Sequence, residues 1–174
     1  MTKQFVLAVV GKDRPGLVDI ISAEIEAAGG SWLDGRMSAL SGQFAGAVLI
    51  SVPDAKADAL AEALDGLSER GLHILLEPAK PPGRTPDYRG LRIELMGQDR
   101  PGIVHEVAHV LAARKINIDD LATDTESGAM SGGRLFRAQA WLQVPDGVSD
   151  EAIRQDLEAL ADEMMVEIHL TDAE

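Results

Sequence analysis

An eight-residue motif occurs twice in this chain of 174 residues. The copies run from Gly11 to Val18 and from Gly97 to Val104, and they agree at six of the eight positions. Self-similarity at a fixed distance, here from position 11 to position 97, indicates successive copies of one structural unit. The sequence therefore predicts two domains of about 85 residues each, near the small end of the usual domain size range.

Hydrophobic periodicity predicts the same order of elements in both halves: strand, helix, two strands, helix, strand. This βαββαβ order is the ferredoxin-like α+β arrangement, in which a four-stranded antiparallel sheet carries two helices on one face. The predicted strands are 3–10, 31–40, 43–52, 72–76, 89–96, 116–126, 133–144 and 164–170, and the predicted helices are 15–28, 57–70, 101–114 and 149–162. Ser41-Gly42 is predicted to join the second and third strands as a hairpin.

Proline content marks the boundary between the two units. Four prolines lie within 78–88, and proline disfavours both helix and ladder pairing. We therefore place the first domain at 1–77, a linker at 78–88 and the second domain at 89–171. The second unit also has a longer hairpin loop, 126–133, which we interpret as a tolerated surface insertion.

Each copy of the motif lies at a strand-to-helix corner. Pro15 and Pro101 suit a first helical turn, and Asp13 and Asp99 are expected to cap that turn with a side-chain oxygen. Glycine after the proline leaves backbone amides uncovered for an anion. These amides belong to Gly16, Leu17, Gly102 and Ile103. The alternative interpretation is a capped helix start without a ligand.

Asn117 stands at the start of the second strand of unit 2, and we expect it to return close to Gly102. An amide side chain both donates and accepts hydrogen bonds, as the carboxylate and ammonium groups of an amino acid require. Ser31 occupies the matching position in unit 1. Alternatively, Asn117 only shapes the turn.

His105-Glu106-Val107-Ala108-His109 matches the H-E-x-x-H pattern of zinc peptidases. Periodicity places Val104, Val107, Ala108 and Leu111 on the buried stripe of this helix. This leaves the two histidines at its edge and Glu106 on the solvent side. No third ligand is evident, and no nucleophilic triad or P-loop occurs. We therefore expect no metal, no cofactor and no catalytic site.

The charge and composition of the chain limit the kinds of partner that it can bind. The net charge is −13, with 8 basic and 11 acidic residues in 1–86 against 8 and 18 in 87–174. A protein that grips the phosphate backbone needs a basic surface, so direct nucleic-acid binding is not expected. The chain has no cysteine, no signal-peptide pattern and no apolar run of membrane-spanning length. We expect a cytoplasmic protein that does not bind membranes.

The two predicted sheets differ on the face away from their helices. In unit 1 the outward positions are apolar, namely Val6, Ala8, Val10, Ala45, Ala47 and Leu49. In unit 2 they are mostly polar, namely Arg92, Glu94, Met96, Arg137, Gln139 and Trp141. Because extended apolar patches are uncommon on monomers, we expect the unit 1 face to be covered by another domain, a second protomer or a partner.

Asp-Arg-Pro-Gly opening the first helix of a βαββαβ unit, with Asn117-Ile118 at the second strand, resembles the ACT domain, a small regulatory module that binds amino acids. Three segments resemble the glycine cleavage system transcriptional repressor family in particular. They are residues 30–37, 42–46 and 130–137.

This resemblance implies a non-enzymatic sensor, a homodimer, in which a small amino acid such as glycine binds between a corner and a neighbouring ACT unit. It also implies repression through contact with a DNA-binding activator protein. By position, one site would be lined by Asp99, Arg100, Gly102, Ile103 and Asn117, and its counterpart by Asp13, Arg14, Gly16, Leu17 and Ser31. Ser31 departs from the asparagine that is common at this position. The alternative is an ACT-fold interaction module that has lost ligand binding.

Overall fold

A computed structural model describes residues 1–79, 88–127 and 133–172. The chain divides into two compact units, unit 1 (Met1–Gly83) and unit 2 (Arg84–Glu174). Most of the predicted linker and the middle of the predicted 126–133 loop lie outside the described residues. No helix in the described ranges is long and apolar enough to cross a membrane.

Unit 1 has the predicted βαββαβ order. A 3₁₀ turn precedes its second helix at Asp54–Lys56 and another follows it at Leu67–Arg70. The other elements are β1 (Thr2–Lys12), α1 (Leu17–Ala27), β2 (Ser31–Leu40), β3 (Gln43–Pro53), α2 (Ala57–Gly66) and β4 (Leu72–Pro78). The four strands form an antiparallel sheet in the order β2-β3-β1-β4.

Unit 2 repeats this architecture. Its elements are β5 (Tyr88–Gln98), α3 (Ile103–Ala113), β6 (Asn117–Ser127), β7 (Arg134–Pro145), α4 (Asp150–Met164) and β8 (Val166–Asp172). The antiparallel sheet has the order β6-β7-β5-β8, which matches unit 1 strand for strand. The predicted ferredoxin-like α+β fold is therefore confirmed in both units.

Each unit has its own hydrophobic core between the sheet and its helices. In unit 1 alternate residues of β1, namely Phe5, Leu7 and Val9, are buried with Ile21 of α1 and Leu60 of α2. In unit 2 the corresponding core is built from the same strand and helix positions. Alternation along the strand and a helical period of about 3.6 residues explain why these positions turn inward.

Ser41 and Gly42 join β2 to β3 with positive φ angles of 48° and 79°. Two consecutive left-handed residues are the signature of a tight hairpin whose twist matches that of its strands. The hairpin predicted at Ser41-Gly42 is therefore confirmed.

An ion pair links the end of α3 to α4. The guanidinium of Arg114 donates two hydrogen bonds to the Asp156 carboxylate, of which the Nη2–Oδ1 bond measures 2.9 Å. These hydrogen bonds, more than charge attraction, hold the pKa of Asp156 below its ordinary value. A carboxyl whose pKa is lower in the folded state stabilises the fold above its unfolded pKa of about 3.9 and loses this contribution as the pH falls through the folded pKa.

Asp156→Asn is therefore expected to cause a small loss of stability at pH 7, well below that of a core truncation, because the pair is partly exposed. The difference from the native chain should disappear as the pH falls below about 4. Urea denaturation between pH 2 and pH 7 measures it, with Glu158→Gln on the exposed face of α4 as the control. A deficit that stays constant down to pH 2 would contradict this assignment.

Candidate functional site

Both repeated corners turn into their helix through a left-handed glycine. Gly16 has φ +91° and Gly102 has φ +92°, and the helices begin one residue later, at Leu17 and Ile103. Residues with a side chain are strained at such angles, so the second glycine of the motif is needed for its backbone conformation. The prolines lie in the turn before the helix, which corrects the prediction that they begin its first turn.

The predicted aspartate caps are wrong. Neither α1 nor α3 has a side-chain cap, because a left-handed glycine stands between the aspartate and the first helical residue. The aspartates instead fix the corner to the neighbouring hairpin through their backbone. The N–H of Asp13 donates to the carbonyl of Gly42 at 2.9 Å, and the N–H of Asp99 donates to that of Arg134 at 2.8 Å.

The two corner arginines have different partners. In unit 1, Nη2 of Arg14 donates to the carbonyl oxygen of Arg70 at 3.1 Å, at the end of the 3₁₀ turn after α2. In unit 2, Nη2 of Arg100 pairs with a carboxylate oxygen of Glu106, the fourth residue of α3. The sequence prediction had assigned Glu106 to the solvent side of α3. Comparison of the two repeats could have pointed to a role for Glu106 at the corner, because unit 1 has the apolar Ile20 at the same position.

The corner residues differ in what they can offer a ligand. Leu17 and Ile103 are buried in the cores of their units, so only their backbone amides are available. Asp13, Gly16 and Gly102 are exposed. The first amides of a helix have no partner within the helix, and its N-terminal end favours negative charge. Each corner can therefore accept a carboxylate through backbone N–H groups.

The structure does not bring Asn117 close to Gly102, contrary to the sequence prediction. Asn117 is paired with Gln143 of β7, whereas Gln98, just before the corner, is paired with Leu135. These two positions on β7 lie eight residues apart, which is about 27 Å along an antiparallel strand. The intervening helix α3 carries the chain away from the corner, so Asn117 begins β6 at the opposite end of the sheet.

Ser31 has the same position in unit 1. It is paired with Ser51, and Lys12, at the end of β1, is paired with Gln43. The corner and the start of the second strand thus lie at opposite ends in both units. The corner and the start of the second strand of one unit therefore do not line a single small-ligand site.

The histidines of the H-E-x-x-H motif lie side by side on the exposed surface of α3. The ring centroids of His105 and His109 are 6.0 Å apart. Nowhere in the described ranges do three or more histidine, cysteine, aspartate or glutamate side chains form a cluster suited to a metal ion. Val104 is also exposed, at 42%, which corrects its predicted place on the buried stripe that Val107 and Leu111 do occupy.

The outward face of the unit 1 sheet presents apolar side chains to solvent, as its sequence pattern predicts. Val6 is 37% exposed, Val10 is 46% exposed and Leu75 of the neighbouring β4 is 59% exposed. Ala8 lies between Ala47 and Leu75 at the centre of this face. What covers the face remains a prediction.

The corresponding face of unit 2 is organised by polar contacts. The guanidinium of Arg92 lies over the Trp141 ring, 5.2 Å from its centroid, and pairs with Glu94 at 2.6 Å. Gln139 approaches the same glutamate, with a donor–acceptor distance of 3.5 Å. This polar network distinguishes the second sheet face from the first.

A small apolar cavity lies in unit 2 between α3 and the sheet, bordered by Val104, Leu121 and Ala138. Its volume is about 30 Å³. Sites for drug-sized ligands enclose roughly 300–1,000 Å³, so this cavity is too small to hold an amino acid by itself. It therefore gives no support to a ligand site inside a single unit.

Comparison with models of protein families shows to which family the chain belongs. Models of the ACT domain match residues 3–75 and residues 91–162, which together exceed half of the sequence. The chain belongs to the ACT-domain family. Its two ACT domains stand in tandem, as the repeated motif predicts. ACT domains typically bind small amino-acid ligands and often dimerise.

Solved structures resemble the tandem ACT protein over its full length. An unknown protein from Galdieria sulphuraria is 30% identical, with a TM-score of 0.88 and 100% of each chain covered. A "putative glycine cleavage system transcriptional repressor" is 20% identical, with a TM-score of 0.72 and coverage of 100% of this chain and 99% of that one. At 20% identity, the similarity to this second structure shows a shared fold only. A comparison with curated proteins finds no match.

Proposed function

We propose that this tandem ACT protein is a non-enzymatic, amino-acid-responsive regulator of the glycine cleavage system repressor type. It acts in the cytoplasm as a homodimer and contacts a DNA-binding activator protein rather than DNA. The observation that carries the proposal is the presence of two ACT domains, each with an exposed left-handed glycine corner at a helix N-terminus. The net charge of −13 supports a protein partner over nucleic acid.

In this proposal the ligand is a small amino acid, with glycine as the first candidate. Its carboxylate binds the helix-start amides and the corner arginine, Arg14 or Arg100. Its ammonium group needs an acceptor, which Asn117 or Ser31 of a neighbouring ACT unit supplies through a side-chain oxygen. The acceptor is assigned to another unit because the Asn117 end and the corner end of one unit lie about 27 Å apart along β7.

A second candidate function is an ACT-fold interaction module that no longer binds a ligand. The exposed apolar face of unit 1 favours it, because Val6, Val10 and Leu75 would gain from burial against a partner. The two candidates make opposite predictions for amino-acid binding. A ligand screen therefore separates them.

Asn117→Ala is expected to reduce the stabilisation that a bound amino acid gives to the native chain, because it removes the side-chain amide from one of the two proposed sites. Scanning fluorimetry with each of the twenty amino acids measures this stabilisation, which reaches about 2.7 kcal/mol when the ligand is at 100 times its Kd. The matched control is Thr123→Ala, an exposed residue further along the same strand β6.

Two outcomes contradict parts of the proposal. Stabilisation that survives Asn117→Ala unchanged would remove Asn117 from the site. No stabilisation of the native chain by any of the twenty amino acids would favour the interaction module over the sensor.

A further inference from the structure

The two corners differ in one residue that the motif does not include. The fourth residue of the following helix is Ile20 in unit 1 and Glu106 in unit 2. On a helix this residue lies one turn beyond the corner glycine, and its backbone N–H donates to the carbonyl of that glycine in both units. Its side chain can therefore reach the space above the glycine.

In unit 2 a carboxylate already occupies that space. One oxygen of Glu106 lies 3.5 Å from the position that a methyl group on Gly102 would take. The other oxygen accepts a hydrogen bond from Nη2 of Arg100. One oxygen of the Glu106 carboxylate thus lies beside the corner glycine, and the other pairs with the corner arginine.

In unit 1 the same space is open. In the part of the chain that the structure describes, no atom beyond the two chain neighbours of Gly16 lies within 4 Å of the position that a methyl group on Gly16 would take. Ile20 has no charge to offer, and Arg14 donates to a backbone carbonyl instead of a carboxylate. The corner of unit 1 therefore keeps its helix-start amides available.

Arg100 retains a donor that Glu106 does not use. Its Nε is buried and has no hydrogen-bond acceptor among the described residues, although the side chain as a whole is 38% exposed. An unpaired buried donor is costly, so a second oxygen at this guanidinium would be favourable. The ion pair with Glu106 satisfies the corner arginine only in part.

We infer that Glu106 is an intramolecular competitor for the second corner, so that the corner of unit 1 binds carboxylates more readily than that of unit 2. The inference rests on the proposed function, because it assigns a carboxylate ligand to these corners. A ligand carboxylate at unit 2 competes with Glu106 for Nη2 of Arg100, whereas a ligand at unit 1 competes with no carboxylate. The two sensor sites then respond at different ligand concentrations.

The size of the effect follows from the exposure of the pair. Ion pairs that are about one-third exposed are weak and change an equilibrium by about fivefold at most. Removing the competitor is therefore expected to raise the carboxylate affinity of the second corner by about two- to fivefold.

The test is an NMR titration of the native ¹⁵N-labelled chain with sodium acetate, against sodium chloride at equal ionic strength. We expect the amides of Gly16 and Leu17 to respond at lower acetate concentration than those of Gly102 and Ile103. In Glu106→Gln the second pair should respond at about two- to fivefold lower concentration than in the native chain. Glu151→Gln, in the first turn of α4, is the matched control for loss of one negative charge.

The reciprocal substitution tests the same idea in unit 1. Ile20→Glu should shift the response of Gly16 and Leu17 to higher acetate concentration, whereas Ile20→Gln should not. The two variants lose the same apolar packing of Ile20 and differ only in the charge. This comparison separates competition from damage to the fold.

Equal midpoints at both corners in the native chain, or no response of either pair to acetate, would overturn the inference. Midpoints of the second pair that are unchanged in Glu106→Gln would overturn it as well. Failure of the proposed function looks different. In that case none of the twenty amino acids binds, while acetate still distinguishes the two corners.

Discussion

Leu111→Ala is expected to lower the free energy of unfolding of unit 2 by about 2–5 kcal/mol. Leu111 is 1% exposed and closes the buried stripe of α3 against the sheet. Truncation removes apolar contacts and leaves a cavity that the surrounding side chains fill only in part. Small domains have little stability to spare, so this single change is expected to unfold a sizeable fraction of unit 2 on mild heating.

Urea denaturation measures the loss, and hydrogen exchange should locate it within 88–127 and 133–172. The matched control is Val104→Ala on the same helix. Val104 is 42% exposed, so its truncation should change stability by less than about 0.5 kcal/mol. Equal losses in the two variants would show that the stripe of α3 is assigned incorrectly.

Gly11→Ala is expected to destabilise unit 1 by about 1–3 kcal/mol, because the first glycine of the motif is packed against backbone. A methyl group on Gly11 would lie 2.7 Å from the carbonyl oxygen of Gly71 and 3.0 Å from Cδ1 of Leu72. The carbonyl oxygen of Gly71 belongs to the backbone between the 3₁₀ turn and β4, so it cannot change position as freely as the end of a long side chain. The strand β4 or the turn before it must therefore move.

Gly66→Ala provides the control for Gly11→Ala, and it should have the opposite sign. Gly66 ends α2 with ordinary helical angles. Among residues 1–79, 88–127 and 133–172, nothing beyond its chain neighbours and its own helix backbone lies within 4 Å of the position of its added methyl group. Alanine there restricts the unfolded chain and should stabilise unit 1 by roughly 0.4–1 kcal/mol. Urea midpoints of the two variants measure the contrast. A Gly11→Ala variant as stable as the native chain would contradict the packing described for the motif.

The fold was predictable because the sequence carries it twice. Alternation in β1, helical spacing in α1 and the Ser41-Gly42 hairpin each point to the same element that the structure contains. A second copy with the same order removes the ambiguity that a short apolar run leaves in a single unit. Consistency between the repeats thus made the ferredoxin-like prediction secure.

The geometry of the corner was not predictable to the same extent. Asp13 and Asp99 have the residue type of a cap, and only the left-handed conformation of Gly16 and Gly102 shows why they do not cap. A glycine in a sequence permits positive φ but does not require it. Backbone hydrogen bonds to the neighbouring hairpin, which lies far away in sequence, decide the conformation.

The error at Asn117 has a simpler origin. Asn117 follows α3 in sequence, and the prediction was that the chain returns to Gly102 after this helix. A helix of 11 residues advances the chain by about 16 Å, so residues at its two ends cannot share a small ligand. Helix length alone indicates that the corner and the second strand belong to different ends of a unit.

In the sequence, Glu106 was considered only as part of a zinc motif and not as a partner of Arg100. The H-E-x-x-H pattern directed attention to a zinc ligand set, whereas comparison with Ile20 in the first repeat isolates the glutamate as the difference. Its pairing with Arg100 depends on side-chain conformations that a sequence pattern does not specify. The unequal corners are therefore a result of the structure.

Calorimetric titration of the native chain with each of the twenty amino acids tests the sensor most directly. We predict saturable heat with at least one small amino acid, glycine being the first candidate. No saturable heat with any of the twenty, from a chain shown by hydrogen exchange to be folded, would contradict the sensor and leave the interaction module as the function of these two ACT domains.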